Sequence, residues 1–322
     1  MINNKTLIIA EIGINHDGKI SKAQKLIDLA KKGGAYAVKF QYFSPEDLYK
    51  KKDKNFKVVK KFSFNANQIR YLRNYSKRKK IKFFCTPFSL NKANFLNKIN
   101  TDGFKIASMD SLNSNLISKC LSFKKPVFVS TGMMNLDEMK YIFKKYKNVK
   151  NIHFLHCVSE YPTPNNKTGL GVLDFMKNKL GSKALFGYSD HSINNNNVKI
   201  AIVKGATIIE KHFTLKKNNK YDHIHSMDFE DLKDIIEFSE LFHKQITGEF
   251  FLKNRIDRNN SKIFRRGIYT KTRVLKNEKL TTNNVSFVRP QKSNEYLDFS
   301  DVENKKINRN LEINSIIKKN YF

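Results

Sequence analysis

LIIAEIGINHDGKISKAQKLIDLAKKGGAYAVKFQ, residues 7–41, reads as one complete strand–helix–strand unit. The apolar run at 7–10 is too short for a helix and suits a buried strand. Ala23, Leu26, Ile27 and Leu29 then recur at helical spacing, and Gly33–Gly34 closes that helix as a C-cap signal. A second apolar run, ending VKFQ at 38–41, supplies the next strand. Two strands joined across a helix run parallel.

The same alternation continues outward from this unit. Strands are expected at 7–10, 35–41, 82–85, 103–106, 127–130, 153–156, 184–188 and 207–210. Further helices are expected at 65–79, 90–97, 113–123, 135–145 and 197–204. Eight buried strands separated by helices is the count of an α/β (β/α)8 TIM barrel; an open doubly wound sheet is the other solution, because periodicity alone does not close a ring. After a long helix around 228–243 the texture changes. Residues 245–262 are polar with few apolar anchors, as in a linker. From 263 to 322 short strands with a turn at 276–278 indicate a small β-rich domain, leaving 1–244 as the barrel.

Composition narrows the function classes. Apolar residues make up 40% of the 322-residue chain, enough to bury a core. The first apolar run meets Glu11 too soon for a signal peptide, and no run approaches the ~18 apolar residues of a spanning helix, so no membrane role is expected. Cys85, Cys120 and Cys157 are odd in number, widely spaced and free of any CxxC, which reads as reduced thiols in a cytoplasmic protein. The net charge of +32 comes from lysines spread along the chain beside much Asn and Ile, with no zinc finger, Arg-rich arm or stacking motif. That favours non-specific attraction for polyanions over specific nucleic-acid recognition. A basic polyanion-binding protein on a non-catalytic barrel is thus the alternative to an enzyme.

The polar residues argue for the enzyme. In a barrel the C-terminal strand ends carry the chemistry, and every expected strand here ends in polar groups: Glu11; Lys39 and Gln41; Thr86; Lys105 and Ser108 to Asp110; Ser130; His156 and Tyr161; Ser189 to His191; Glu210 to His212. Lys39 and Lys105 with Thr86, Ser108 and Ser130 suit a cradle for phosphate and carboxylate oxygens. His191 and His212 end adjacent strands and could share a divalent ion with open positions, of the Mn, Fe or Co kind. Asp222-His223-Ile224-His225 also has metal-type residues, but its alternating spacing reads as an exposed loop.

These residues resemble the sialic acid synthase family, which makes N-acetylneuraminate and related nonulosonates. AEIGINHDG at 10–18, VKFQ at 38–41, FFCTPFS at 83–89, KIASMD at 105–110, VSTGM at 129–133, HCVSEYPTP at 156–164, GYSDH at 187–191 and EKHFT at 210–214 follow the family's order. RRGIY…VRP resembles its C-terminal antifreeze-like, or SAF, domain. The resemblance implies a domain-swapped homodimer that condenses phosphoenolpyruvate with an amino-sugar aldehyde. It implies Mn²⁺, with Mg²⁺ or Co²⁺ as alternatives, on His191 and His212. It places phosphoenolpyruvate on Lys39, Thr86, Lys105, Ser108, Ser130, Ser159 and Ser189, and the sugar near Gln41, Tyr161, Asp222 and the partner's Arg289. Glu11, Asp110 and Glu210 are the carboxylates expected to handle the water that traps the C2 cation. N-acetylneuraminate or legionaminate is the expected kind of product, with pseudaminate, octulosonate and heptulosonate synthases as neighbouring readings. Asp110 stands where the family often has Glu, and Ser159 where some members have Asn. The segments before Asp222 and after Arg289 lack the family's usual glycines.

Overall fold

The computed structural model describes residues 6–180, 185–246, 257–291 and 297–322. Strands β1 (Leu7–Glu11), β2 (Ala37–Tyr42), β3 (Lys82–Pro87), β4 (Gly103–Ile106), β5 (Val127–Ser130), β6 (Ile152–Cys157), β7 (Phe186–Asp190) and β8 (Ile208–His212) pair in parallel, each with the next. β8 also pairs with β1, Leu7 opposite Ile208 through Glu11 opposite His212, so the ring is closed. The fold is the TIM barrel and not the open sheet.

Helices α1 (Ile20–Lys32), α2 (Ala66–Arg78), α3 (Leu90–Lys98), α4 (Ser114–Ser122), α5 (Leu136–Tyr146), α6 (Val172–Leu180), α7 (Asn196–Val203) and α8 (Phe229–Gln245) follow the eight strands in turn. Local chemistry sets their starts. Asn65, Asn113 and Asn135 each accept the amide three residues on, at 3.0, 3.2 and 2.9 Å, and Gln68 and Glu138 return a bond to the first and last of these caps. Each such cap contributes about 1 kcal/mol. At the end of α1 the left-handed position falls on Gly34, φ +90°, which a residue with a Cβ adopts only at a cost.

Three expectations need correction. Most strands run past their apolar residues into the polar ones, ending at Glu11, Tyr42, Pro87, Cys157, Asp190 and His212. Helix α6 was not expected at all; its apolar side rests on Leu173 and Met176 alone as fully buried residues. The strand expected at 184–188 begins at Phe186, and Ala184 lies outside the described residues.

Strand alternation now decides where each side chain goes. Ile9, Ala37, Phe84, Phe128, Leu155 and Ile208 fill the barrel interior. The alternate residues, such as Ile8, Val38, Phe83, Phe104, Val129, Phe154 and Ile209, pack outward beneath the helices. Two residues beyond the interior plug, toward the C-terminal mouth, the inward positions are Glu11, Lys39, Thr86, Lys105, Ser130, Cys157, Ser189 and Glu210, one from each strand.

The chain divides into two compact units, Met1–Lys244 and Gln245–Phe322. In the second, β9 (Gly267–Thr270) pairs antiparallel with β10 (Val285–Val288). Ile268, Val274, Leu280, Val285, Val302, Ile307, Leu311 and Ile317 form its own core. Asn277 turns the chain at φ +69° within the expected 276–278 turn. Of the expected linker, residues 247–256 lie outside the described residues.

Candidate active site

The eight inward positions form a buried charge cluster. Lys39 Nζ lies 2.7 Å from Glu11 Oε2 and 3.6 Å from Glu210 Oε1, and Lys105 Nζ lies 3.5 Å from the same Glu210 oxygen. Gln41 donates to Glu11 Oε1 at 3.0 Å, Ser189 to Glu210 Oε1 at 3.1 Å, and Lys39 to Thr86 Oγ1 at 3.4 Å. All four charged residues are at most 5% exposed. Burial, reinforced by the Glu210 charge and opposed by Lys39, pushes Glu11 up to about 7. Burial also pushes Glu210 up, but Lys105 and Lys39 outweigh it and hold that carboxyl below its ordinary range. Lys39 is raised despite burial, because Glu11 and Glu210 both favour its charge; Lys105 is lowered by burial that Glu210 only partly offsets. The two lysines expected as an anion cradle are therefore held in place by two carboxylates of different proton affinity.

Hydroxyls surround this cluster. Ser130 Oγ is buried without a hydrogen-bond partner. A Cβ on Gly132 would lie 2.6 Å from both Ser108 Oγ and Ser159 Oγ, so the absence of a side chain there lets the two loop serines converge. Gly13, at φ +49°, covers Glu11 and His212; a Cβ would approach each to 3.2 Å. Asp110 sits in a short 3-10 turn after β4 and accepts from Asn113 at 3.2 Å.

Above the charges stand three imidazoles. Ring centroids are 4.9 Å apart for His212 and His225, 5.5 Å for His191 and His212, and 5.8 Å for His191 and His225. Tyr161 packs on His191 with centroids 4.2 Å apart. His191 Nδ1 faces the Val158 carbonyl oxygen at 2.9 Å, which leaves Nε2 with a free lone pair. Asp222 Oδ2 lies 3.4 Å from His212 Nδ1. One ligand atom each from His212, Asp222 and His225 fall within 4.8 Å of one another.

The sequence expectation for 222–225 is corrected here. The segment is the 3-10 helix Tyr221–His225, not an exposed loop, and both of its histidines are buried. In such a helix residues i and i+3 eclipse, so Asp222 and His225 share a face, while His223 turns to Thr214 Oγ1 at 2.6 Å and Asp17 at 3.3 Å. Both ring nitrogens of His225 are buried without a hydrogen-bond partner. Each unmet group of this kind costs about 1–3 kcal/mol, and a cation would take up the lone pair of the unprotonated nitrogen. Imidazoles plus one carboxylate fit a divalent transition metal with open positions.

Period-two alternation also removes residues from the site. His156, expected near the mouth, faces outward: its Nε2 pairs with the Thr168 carbonyl at 2.7 Å and its ring stacks on Tyr188. Asp190 and Lys211 likewise point outward and form an ion pair with both side chains fully buried; Tyr188 donates to Asp190 at 2.8 Å. Cys157, which sequence reasoning passed over as a site residue, points inward and lies 3.9 Å from His191. Arg289 belongs to the second unit, directly after β10, with its guanidinium 5.4 Å from the Phe264 ring centroid.

The β1 loop is held by a histidine that sequence reasoning also missed. His16 stacks on Phe64 with centroids 4.0 Å apart, and its Nδ1 accepts the Gly18 amide at 3.0 Å. Protonating Nδ1 would break that bond, and burial lowers the imidazole to about 4. A lowered histidine stabilises the fold above its unfolded value near 6.5, and that stability is lost as pH falls toward 4. His16 is thus expected to contribute about 3 kcal/mol at pH 7 that disappears by pH 4. Urea unfolding of the wild type and His16→Phe across this window checks it; parallel stability curves would contradict it.

A model described as NeuB family matches residues 26–249. An uncharacterized protein of Methanocaldococcus jannaschii is 35% identical over 97% of this chain and 93% of its own length. The N,N'-diacetyllegionaminic acid synthase of Campylobacter jejuni is 32% identical over 89% of this chain and 91% of that protein. Among solved structures, the N-acetylneuraminic acid synthetase of Leptospira borgpetersenii superimposes with a TM-score of 0.71 at 31% identity, covering 80% of this chain and 94% of that one.

Proposed function

The chain belongs to the NeuB family, and from that premise we propose that it is a nonulosonic acid synthase. It joins phosphoenolpyruvate to a 2-acetamido sugar aldehyde, releases phosphate and forms an N-acetylneuraminate- or legionaminate-type acid. The observation that carries the reading is the stacking of two buried Lys–Glu pairs beneath an imidazole box inside one barrel mouth. A polyanion-binding surface would leave its lysines in solvent and has no use for that box.

Lys39 and Lys105 bind the phosphate and carboxylate of the donor, with Thr86, Ser108, Ser130, Ser159 and Ser189 supplying hydroxyl donors. Glu11, which keeps its proton to about pH 7, lets the lysines meet an anion with one opposing carboxylate instead of two. That same proton affinity places Glu11 near the operating pH of a general acid–base group. When C3 of phosphoenolpyruvate attacks the aldehyde carbon, the cation at C2 is captured by water. Glu11 gives its proton to the aldehyde oxygen as the carbon–carbon bond forms; Glu11, now a carboxylate, or Asp110 then takes the water's proton, and phosphate leaves from the tetrahedral carbon as the C2 carbonyl forms. Gln41, Tyr161 and Asp222 orient the sugar. His191 and His212, beside Asp222, would hold the divalent ion, Mn²⁺ first and Mg²⁺ or Co²⁺ as substitutes. Such an ion supplies Lewis acidity toward the aldehyde oxygen.

Residues 263–322 act as an SAF-like domain joined to the 1–244 barrel by the 245–262 linker, and Arg289 reaches the mouth of a partner copy in a domain-swapped homodimer. Exposed apolar side chains on the loops after the strands, among them Met109, Met133, Tyr161 and Ile193, support a cover of that kind. All three cysteines are free, which supports a reducing cytoplasm. Among the described residues no helix is long and apolar enough to cross a membrane.

Phosphate release from phosphoenolpyruvate, measured against N-acetylmannosamine, its diacetylated 6-deoxy relative and the altrosamine analogue, tests the reading. Release is expected only with one of these aldehydes and only with a divalent ion. Activity is expected to vanish with chelator and return on adding Mn²⁺. Release without any aldehyde, or full turnover in stripped protein, would refute it.

A further inference from the structure

We propose that this chain holds its divalent ion with a third imidazole, His225, alongside His191, His212 and Asp222. The proposal rests on the metal reading above and extends it to a residue of the Tyr221–His225 turn. Three independent features point to His225. It is 1% exposed, yet neither ring nitrogen has a hydrogen-bond partner. Its neighbour His223, in the same turn, has both ring nitrogens engaged, by Thr214 and Asp17, so the turn does not leave histidines unpaired in general. Its ring is also closer to His212 than His191 is, with centroids 4.9 against 5.5 Å apart, and it joins His212 and Asp222 in one set of mutually close ligand atoms.

The consequence is a nitrogen-rich site. Carboxylate and water ligands suit Mg²⁺ and Mn²⁺, whereas each added imidazole favours the later first-row ions. His225 should therefore tighten binding overall and raise the preference for Co²⁺ over Mn²⁺ relative to a two-imidazole site. The i, i+3 spacing of Asp222 and His225 puts both donors on one face of one turn, so the same turn would supply both to the ion.

The test uses the chelator-stripped full chain, titrated calorimetrically with Co²⁺ and with Mn²⁺. His225→Ala is expected to weaken Co²⁺ by at least ~10–100-fold, the loss typical of removing even a supporting group at a metal site. It should also lower the Co²⁺ to Mn²⁺ affinity ratio and change the cobalt absorption spectrum. His223→Ala should leave Co²⁺ affinity near the wild-type value. His225→Gln, closer in size, repeats the experiment should the alanine variant unfold, as circular dichroism would reveal. Electron spin echo spectroscopy on the Mn²⁺-loaded wild type counts coordinated imidazoles without any variant, and three are expected. Unchanged Co²⁺ affinity in His225→Ala, or two imidazoles by spin echo, overturns the role of His225 while His212→Ala still abolishes binding and the metal reading stands. A wild-type chain that binds neither ion overturns both.

Discussion

Lys39→Met is expected to cut condensation by ~10²–10³-fold, the scale seen when one positioned charge-stabilising donor is removed. Lys39 is the residue that Glu11 and Glu210 share, at 2.7 and 3.6 Å, and the donor's oxyanions would have to reach it. Its removal leaves two buried carboxylates with Lys105 as the remaining cation near Glu210, at 3.5 Å. Breaking a buried pair costs about 3–5 kcal/mol. The lower end is expected, because Glu11 already holds a proton to about pH 7 and can stay neutral. Lys39→Arg should not rescue turnover, since a planar fork does not replace a compact ammonium between two carboxylates. Phosphate release with saturating substrates, alongside urea unfolding, checks both halves. Activity within tenfold of wild type would contradict the assignment.

Lys211→Met should do the reverse. Lys211 is only one strand position from Glu210, yet it faces away from the mouth and pairs with Asp190 where both side chains are fully buried. Its loss strands Asp190, which Tyr188 and Ser192 only partly satisfy. The expected cost is about 3–5 kcal/mol, a large share of a typical domain's 5–15 kcal/mol or so. For a barrel of this size that lowers Tm by roughly 6–20 °C. Phosphoenolpyruvate affinity, measured where the variant is folded, should be unchanged. Adding Asp190→Leu should recover part of the stability, because a buried pair replaced as a whole by apolar groups is often near neutral. A Lys211→Met protein that melts like wild type but no longer binds the donor would show that alternation has been misassigned.

This contrast between Lys39 and Lys211 also shows what could be read from the sequence. Apolar runs and helical spacing marked the eight strands and most helices, since burying one face of each element requires that pattern. Strand ends could not be read the same way. The ladder depends on backbone groups, so it continues through Glu11, Asp190 and His212 once their side chains have partners or face the mouth. Treating every polar strand end as catalytic therefore mixed inward residues with outward ones; period two, applied from Ile208, separates Glu210 from Lys211, and applied from Leu155 it excludes His156. His225 was harder. The spacing in DHIH looks like an extended segment, and only the 3-10 turn, which no local sequence signal announces, brings i and i+3 together. Helix α6 was legible in principle, since Val172, Leu173, Met176 and Leu180 recur at helical spacing.

If Lys105 and Lys39 form the donor's seat inside the barrel, calorimetric titration of phosphoenolpyruvate into the full chain will show it. A net charge of +32 attracts any anion, so the titration belongs at ~0.15 M salt, where exposed charges are screened beyond about 8 Å and buried pairs much less. Saturable one-site binding is expected in the wild type and in Lys98→Met, a substitution on helix α3 away from the inward ring. No saturable binding is expected in Lys105→Met. Wild-type affinity in Lys105→Met would contradict that placement.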